Sequence, residues 1–471
     1  MNKANRDTTG IGRRTFLKSS VCGATTSGIG LYRALAQAAE LNGGGLLAPR
    51  PTHHPAKAQN LILIFLTGGF SHVDTFDYKP ALSRHHGQPV PSFGLRSDES
   101  GKRPLLGSPF RFRACGESGL MISELFPHLG TMADDLCVIR SLHTDIVEHF
   151  QAVLAMHTGS ATVPMPGLGA WLSYGLGTFN AALPPYVVLC EHMTYAGTQV
   201  WDSSFLPPIH QGVRIVPGPQ PIPDLRSQAR SVSLQELEEF MLRDWNERHA
   251  ALRPGDADLR ARINSYDVAR GMMREAPEAL DTGRESKATL GSYGVAAGDT
   301  TSFGYQCLIA RRLIERGVRV VELIDSGSNN NWDAHGDMGD HRPKALRVDQ
   351  AIAALLADLK ARGLLDQTLV AICTEFGRTP WTDTPQTKGR NHYAKAFSAL
   401  LAGAGVKGGF AFGETDEFGI NIIANPVHVH DYHATILHLM GIDHTRLVYR
   451  YAGRDFRLTD VDGHVVTQVL S

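Results

Sequence analysis

Six short runs made almost wholly of apolar residues constrain this chain more than any other feature. They are "LILIFL" (Leu61 to Leu66), "LCVIRS" (Leu136 to Ser141), "YVVLC" (Tyr186 to Cys190), "VRVVELI" (Val318 to Ile324), "LVAICT" (Leu369 to Thr374) and "FSALLAG" (Phe397 to Gly403). Each has the length and β-branched content of a strand, and apolarity without alternation means that both faces are covered. Between them, Ser302 to Gly317 and Pro343 to Gly363 carry helical spacing and close on Gly317 and Gly363, residues suited to a helix C-terminus. Strand and helix in alternation predict an α/β fold with a largely parallel central sheet and helices on both faces. Ser231 to Arg274 is charged and helical without a strand signal, and reads as a helical insertion reaching to about residue 300.

In such a sheet ligands gather at the carboxyl ends of the strands, so those ends supply the candidate site. The first strand runs into "TGGFSHVD", where glycines permit a sharp turn and bring Ser71, His72 and Asp74 above the sheet edge. Val318 to Ile324 leads into "DSGSNNNWDAHGD", with Asp325, Asp333, His335 and Asp337; Leu369 to Thr374 leads to Glu375 and Arg378, followed by Arg390 and His392. "HVHDYHATILHLMG" adds His428, His430, Asp431 and His433 before a helix. Carboxylates and imidazoles are the ligand types of zinc and other divalent cations. Taken singly, each also has a plain reading: Asp431 as a helix N-cap, the Asn-rich loop as a turn.

The N-terminus bears on compartment. "GRRTFLKSS" (Gly12 to Ser20), a weakly apolar run from Val21 to Ala36 and the small residues of "ALAQAA" resemble a twin-arginine export signal. This gives a signal over residues 1–39, a linker over 40–58 and one domain over 59–471. No segment reads as a stable membrane span. The 46 basic and 47 acidic residues nearly cancel, which removes the field that nucleic acid or an anionic membrane would require. Beyond Cys22, five cysteines without a CxxC pair make a poor disulfide framework.

Several segments resemble known families. Val348 to Gly377, Asp431 to Asp443 ("DYHATILHLMGID") and His149 to Gly159 ("HFQAVLAMHTG") are similar to segments of the sulfatases and the alkaline phosphatase-like superfamily. "GGFSHVDTFDYKP", "NWDAHGD", "TEFGRTP", "GRNHY" and "YRYAGRDFRLTDVDGHVV" resemble the exported domain of unknown function 1501, and this likeness spans nearly the whole mature chain. The resemblance implies an alkaline phosphatase-like fold whose divalent metal centre, zinc or calcium, holds a phosphate or sulfate ester, free or on a polysaccharide.

Carried over residue by residue, the implied metal ligands are Asp74, His72, Asp333, His335, Glu375 and His392, with His149 at the place of the attacking residue. The chain departs from the pattern in three places. Thr67 or Gly68 stands where a carboxylate is expected, His149 where a Ser, Thr or Cys nucleophile is expected, and Phe376 where an imidazole is expected, leaving His392 as its replacement. Three readings stay open: a metal-dependent ester hydrolase delivered to the periplasm or cell envelope, a non-catalytic binding protein that keeps the fold, and a different hydrolase or transferase with His149 as nucleophile or base.

Overall fold

The computed structural model describes residues 46–91, 103–225 and 231–471. The twin-arginine segment and the start of the linker, residues 40–45, lie outside the described residues.

The apolar runs become the central sheet. Its strands, in chain order, are β1 (Asn60–Phe65), β2 (Leu136–His143), β3 (Tyr186–Cys190), β4 (Val213–Ile215), β5 (Val320–Ile324), β6 (Thr368–Cys373), β7 (Phe397–Gly403), β8 (Phe410–Phe412) and β9 (Val427–His428). They lie in the order β8-β2-β7-β6-β1-β5-β3-β4, with β9 also paired to β2. β1 pairs in parallel with both β5 and β6; β7 alone is antiparallel, to β6 and to β2.

Burial on both faces shows along β1. Ile62 and Ile64 join one apolar cluster; Leu61, Leu63 and Phe65 join another, as a period of two requires. The first cluster is completed by helices Phe303–Glu315 and His341–Ala361, through Leu308, Val348 and Leu355. The second takes Val153 from His149–Thr158 (here α1), Trp171 from Leu168–Leu176 (α2) and Ile436 from Val429–Leu439. Within the segment read as an insertion, helices span Val232–Ala251 and Ala257–Leu280; the second sends Met272, Ala276 and Ala279 into the first cluster, whereas the first leaves Leu237, Met241 and Trp245 exposed. Among the described residues all five cysteines are buried and unpaired, and burial pushes the Cys137 and Cys190 thiols up to about 12. Packing, not cross-linking, therefore holds this part of the chain together. No helix of the described residues is long and apolar enough to cross a membrane.

One charge sits inside the sheet. Glu322, in the middle of β5, is buried on the second face, where Tyr186 donates a hydrogen bond to it and His157 of α1 approaches to 2.8 Å. Burial pulls the His157 pKa down, but the facing Glu322 carboxylate outweighs it and the net shift is upward.

A candidate metal centre at the carboxyl edge of the sheet

The turn after β1 is built around glycine. Gly68 has φ +109°, and a Cβ there would lie 2.5 Å from Asn331 Oδ1 and 2.7 Å from the Asp333 amide, so only glycine lets this turn meet the loop after β5. Its N–H then donates to both Glu375 oxygens, at 2.8 and 3.0 Å. Thr67, where a carboxylate was expected, donates its backbone N–H to Asp325 Oδ1 at 3.0 Å.

Asp325 is itself fully engaged. Trp332 Nε1 and Arg347 Nη2 reach its Oδ2 at 2.9 and 3.0 Å, and Ser326 reaches Oδ1. Burial pushes its pKa up despite these donors.

Glu375 turns from ligand into support. Its side chain is inaccessible to solvent, and besides the Gly68 amide it takes the Thr374 hydroxyl and, through Oε1, His149 Nδ1 at 2.7 Å. His149 is the first residue of α1, so the helix start presents its other nitrogen to the sheet edge. That nitrogen, Nε2, lies 3.4 Å from Asp333 Oδ2. His392 sits opposite Arg378 in a short antiparallel bridge, and its Nδ1 lies 2.7 Å from the Val147 carbonyl.

The logic of both imidazoles is the same. A carbonyl or carboxylate accepts the Nδ1 proton, which leaves the Nε2 lone pair of the neutral ring facing outward, the arrangement that orients metal-binding histidines. Ligand atoms of His149, Asp333 and His392 all lie within 4.8 Å of one another. Arg378 Nη2 and His335 Nε2 come to 2.6 and 2.9 Å from Asp333 Oδ1, yet neither makes a hydrogen bond of acceptable geometry with it; His149 Nε2 is likewise without a hydrogen-bond partner. Buried polar atoms are rarely left so. They converge on one space, with Arg378 in close ion contact with Asp333.

Around this centre, Tyr195 stacks on His149 at 4.1 Å between centroids, and Phe376 packs against His149 and His392 at 4.8 and 4.6 Å. Burial lowers the His149 pKa, but the facing Asp333 and Glu375 carboxylates more than reverse this. Asp333 moves the other way: burial raises it, and His149, His392 and Arg378 together hold it far below the carboxylate range. The partly exposed His335 is lowered by burial and by the neighbouring Arg378.

Of the residues proposed from sequence, the structure brings together His149, Asp333, His335, Glu375 and His392. It does not bring Asp74 or His72. Asp74 is completely buried in a two-pronged pair with Arg390, at 2.6 and 3.1 Å, and takes the Ser71 hydroxyl at 2.6 Å, which leaves no oxygen for a metal. His72 is completely buried with Nε2 against the Gly419 carbonyl at 3.0 Å. The histidines near the C-terminus serve the helix start: Asp431 accepts from the His428 amide at 2.9 Å in a capping box, and His433 reaches the Met156 carbonyl at 2.8 Å. Tyr195 and Glu322 were missed. Tyr195 has no distinguishing pattern in its loop, but a lone glutamate inside "VRVVELI" was a legible sign of a buried partner.

Fold and cluster together define an α/β protein with a His-His-Asp centre at the carboxyl edge of a largely parallel sheet. The chain belongs to the family described as protein of unknown function (DUF1501), whose model matches residues 58–470. No curated protein matches it. Among solved structures it is similar to the lipoteichoic acid synthase LtaP from Listeria monocytogenes, at 10% identity over 90% of this chain and 81% of that one, TM-score 0.38. It is also similar to the PsFucS1 sulfatase from Pseudoalteromonas sp., at 12% identity over 94% and 75%, TM-score 0.36. A third is the C-terminal periplasmic domain of EcEptC from Escherichia coli in complex with Zn, at 10% identity over 84% and 85%, TM-score 0.35.

Proposed function

We propose that this chain is a divalent-metal-dependent hydrolase of phosphate or sulfate esters, with an alkaline phosphatase-like fold, exported by the twin-arginine route to the periplasm or cell envelope. One observation carries the reading: two imidazoles with their Nδ1 atoms already engaged point their Nε2 atoms, together with a carboxylate, into one space. Two nitrogens and an oxygen suit zinc; calcium, the other ion expected from sequence, takes oxygen ligands almost alone. His149, Asp333 and His392 would hold the ion, which moves His149 from nucleophile to ligand. When bound, the ion supplies Lewis-acid polarisation of a non-bridging ester oxygen and offsets charge in the transition state.

The protein's own groups do the rest. Glu375, fixed by the Gly68 amide, orients His149 from behind. Arg378 ties the Gly68 and Gly69 carbonyls to Asp333, so the turn after β1 and the loop after β5 keep one geometry. His335 has a lowered pKa and contacts Asp333 and His392 at 2.9 and 3.0 Å; as a neutral base it can take a proton from an attacking water and return it to the leaving oxygen. Tyr195 and Phe376 keep bulk water off the His149 ring.

One contact favours a second reading, a non-catalytic envelope protein that keeps the fold: Arg378 lies 2.6 Å from Asp333 and offsets the charge a cation would seek. Elemental analysis separates the two. Tag-free protein from its native envelope should carry stoichiometric zinc, lose it in Asp333→Ala/His392→Ala without loss of fold, and turn over an aryl phosphate or aryl sulfate. Metal-free native protein without turnover leaves the binding reading in place of this one.

A further inference from the structure

Helix Val232–Ala251 carries a stripe that no other part of the described residues covers. Its other side leans on Ala257–Leu280, where Gln235, Leu242 and Asn246 line a groove with Ile263, Tyr266 and Met273, and Glu238 stands at the border of groove and stripe. The stripe is Leu234, Glu238, Met241, Trp245, Arg248 and Leu252, spaced by alternating steps of four and three residues. Leu252 caps the helix with helical dihedrals, φ −75° and ψ −11°, so it continues the line. A step averaging about 3.5 residues keeps side chains on one seam, the repeat by which one helix packs along another. Leu234, Met241, Trp245 and Leu252 are 43, 54, 73 and 81% exposed, and Glu238 and Arg248 are exposed with them. Contiguous apolar surface of this kind marks an interaction site.

The order of residue types along the stripe names the occupant. Each half reads apolar, charged, apolar, with the charge negative in the first half and positive in the second. A second copy running antiparallel, about a two-fold axis level with Arg243, sets Leu234 against Leu252, Glu238 against Arg248 and Met241 against Trp245, and every contact occurs twice. A parallel copy would set Glu238 on Glu238 and Arg248 on Arg248, which like-charge repulsion disfavours. A charged layer inside an apolar seam thus fixes both register and direction. Arg248 meets Asp244 at 2.8 Å within its own helix, an exposed pair that costs little to give up. Glu236, Glu238, Glu239, Asp244 and Glu247 outnumber Arg243 and Arg248 on this helix, so an anionic lipid surface fits it poorly.

We propose that two copies of this chain pair through Val232–Ala251 as an antiparallel two-helix seam, in register about Arg243. A contact of two helices lies at the low end of stable interface sizes, so dimer and monomer should exchange at roughly 1–100 µM. No residue of the seam belongs to the metal centre, and the inference does not rest on the hydrolase reading.

Sedimentation velocity of the full, tag-free chain across about 0.5 to 500 µM tests it, with circular dichroism to show that each variant is folded. The parent should pass from monomer to dimer. Trp245→Glu, at a position the fold does not bury, should raise the dissociation constant at least roughly 30-fold, as loss of an interface anchor does. Glu238→Arg and Arg248→Glu should each be monomeric alone, because the first sets Arg on Arg and the second Glu on Glu. The double variant, and an equal mixture of the two single variants, should dimerise again. The proposal fails if the parent stays monomeric throughout, if Trp245→Glu and both charge variants dimerise as the parent does, or if neither the double variant nor the mixture recovers. It fails also if the parent stays monomeric but co-sediments with phosphatidylcholine vesicles and Trp245→Glu does not, which would give the stripe to a lipid surface.

Discussion

Asp74 and Asp333 leave the same edge of one sheet, and each meets a buried arginine, yet they end as different things. Asp74 and Arg390 have no exposed side-chain surface, and the remaining guanidinium contacts go to the Thr379 and Leu106 carbonyls at 3.1 and 3.0 Å. Burial pushes the Asp74 pKa up, and Arg390 more than reverses it. Asp333 stays 25% exposed, with three cationic or imidazole nitrogens within 3.4 Å of Oδ1 and no hydrogen bond there of acceptable geometry. A closed set of hydrogen bonds makes the first a structural clasp; the second, partly exposed and held by ion contacts, stays open to a ligand in the proposed reading. Residue type does not separate them, because both are carboxylates on strand-end loops.

Acid should act most strongly, through buried imidazoles of which His341 lies behind the clasp. His341 Nε2 accepts the Ser71 amide behind Asp74 at 3.1 Å, and burial holds His341, His210 and His433 neutral with pKa values of about 3. An unfolded histidine titrates near 6.5, so between about 3 and 6.5 the unfolded chain binds the extra protons and stability falls as pH falls. Each group contributes about 1.4 kcal/mol per pH unit well inside that window, so three should cost about 5 kcal/mol between pH 6.5 and pH 5. His157, raised by Glu322, has the opposite sign and does not add to this loss. Urea denaturation at the two pH values measures this. A flat profile would mean these imidazoles are not held neutral.

Breaking the clasp directly should come next. Arg390→Met leaves the Asp74 carboxylate buried without its partner and should lower unfolding free energy by about 3–5 kcal/mol, while metal bound per folded molecule stays unchanged. Loss of metal at full stability would erase the distinction between the two aspartates.

On the site side, Glu375→Gln should keep the buried shape and weaken the hold on His149 Nδ1. Metal affinity should drop roughly 10- to 100-fold, as for other groups that orient ligands. The denaturation midpoint should move far less than in Arg390→Met. If affinity is unchanged while stability collapses, Glu375 belongs with the clasp.

How much of this was legible in the sequence follows from what each part depends on. β1, β5 and β6 were readable because burial on both faces writes itself as uninterrupted apolarity, and the Gly-Gly turn because few other residues permit it. Asp333 and His392 were legible as residue types at strand ends, and His149 only through the family resemblance of its helix. Their division of labour with Asp74, His72 and Glu375 was not, since it turns on partners far away in sequence: Arg390 for Asp74, the Gly419 carbonyl for His72 and the Gly68 amide for Glu375. A carboxylate reads the same whether its lone pairs are spent or free.

The smallest effect tests the ring and loop that pack beside His149. Tyr195 offers two separable interactions, a ring stacked on His149 at 4.1 Å with an interplanar angle of 9°, and a hydroxyl that accepts from Asn331 at 2.9 Å. Tyr195→Phe keeps the ring and removes only the hydroxyl; Asn331 keeps the Gly327 carbonyl at 2.9 Å, and its own Oδ1 still takes the Asp333 amide at 3.0 Å. Zinc affinity should therefore change by less than about 3-fold, under 1 kcal/mol. Tyr195→Leu removes the stacking as well and should cost about 0.5–1.5 kcal/mol of affinity, because the His149 ring loses the face that fixes its plane. Competition with a chelator of known affinity resolves both. An equal loss in the two variants would place the weight on the hydroxyl, making the Asn331 link, and not the stacked ring, what holds the open aspartate in register.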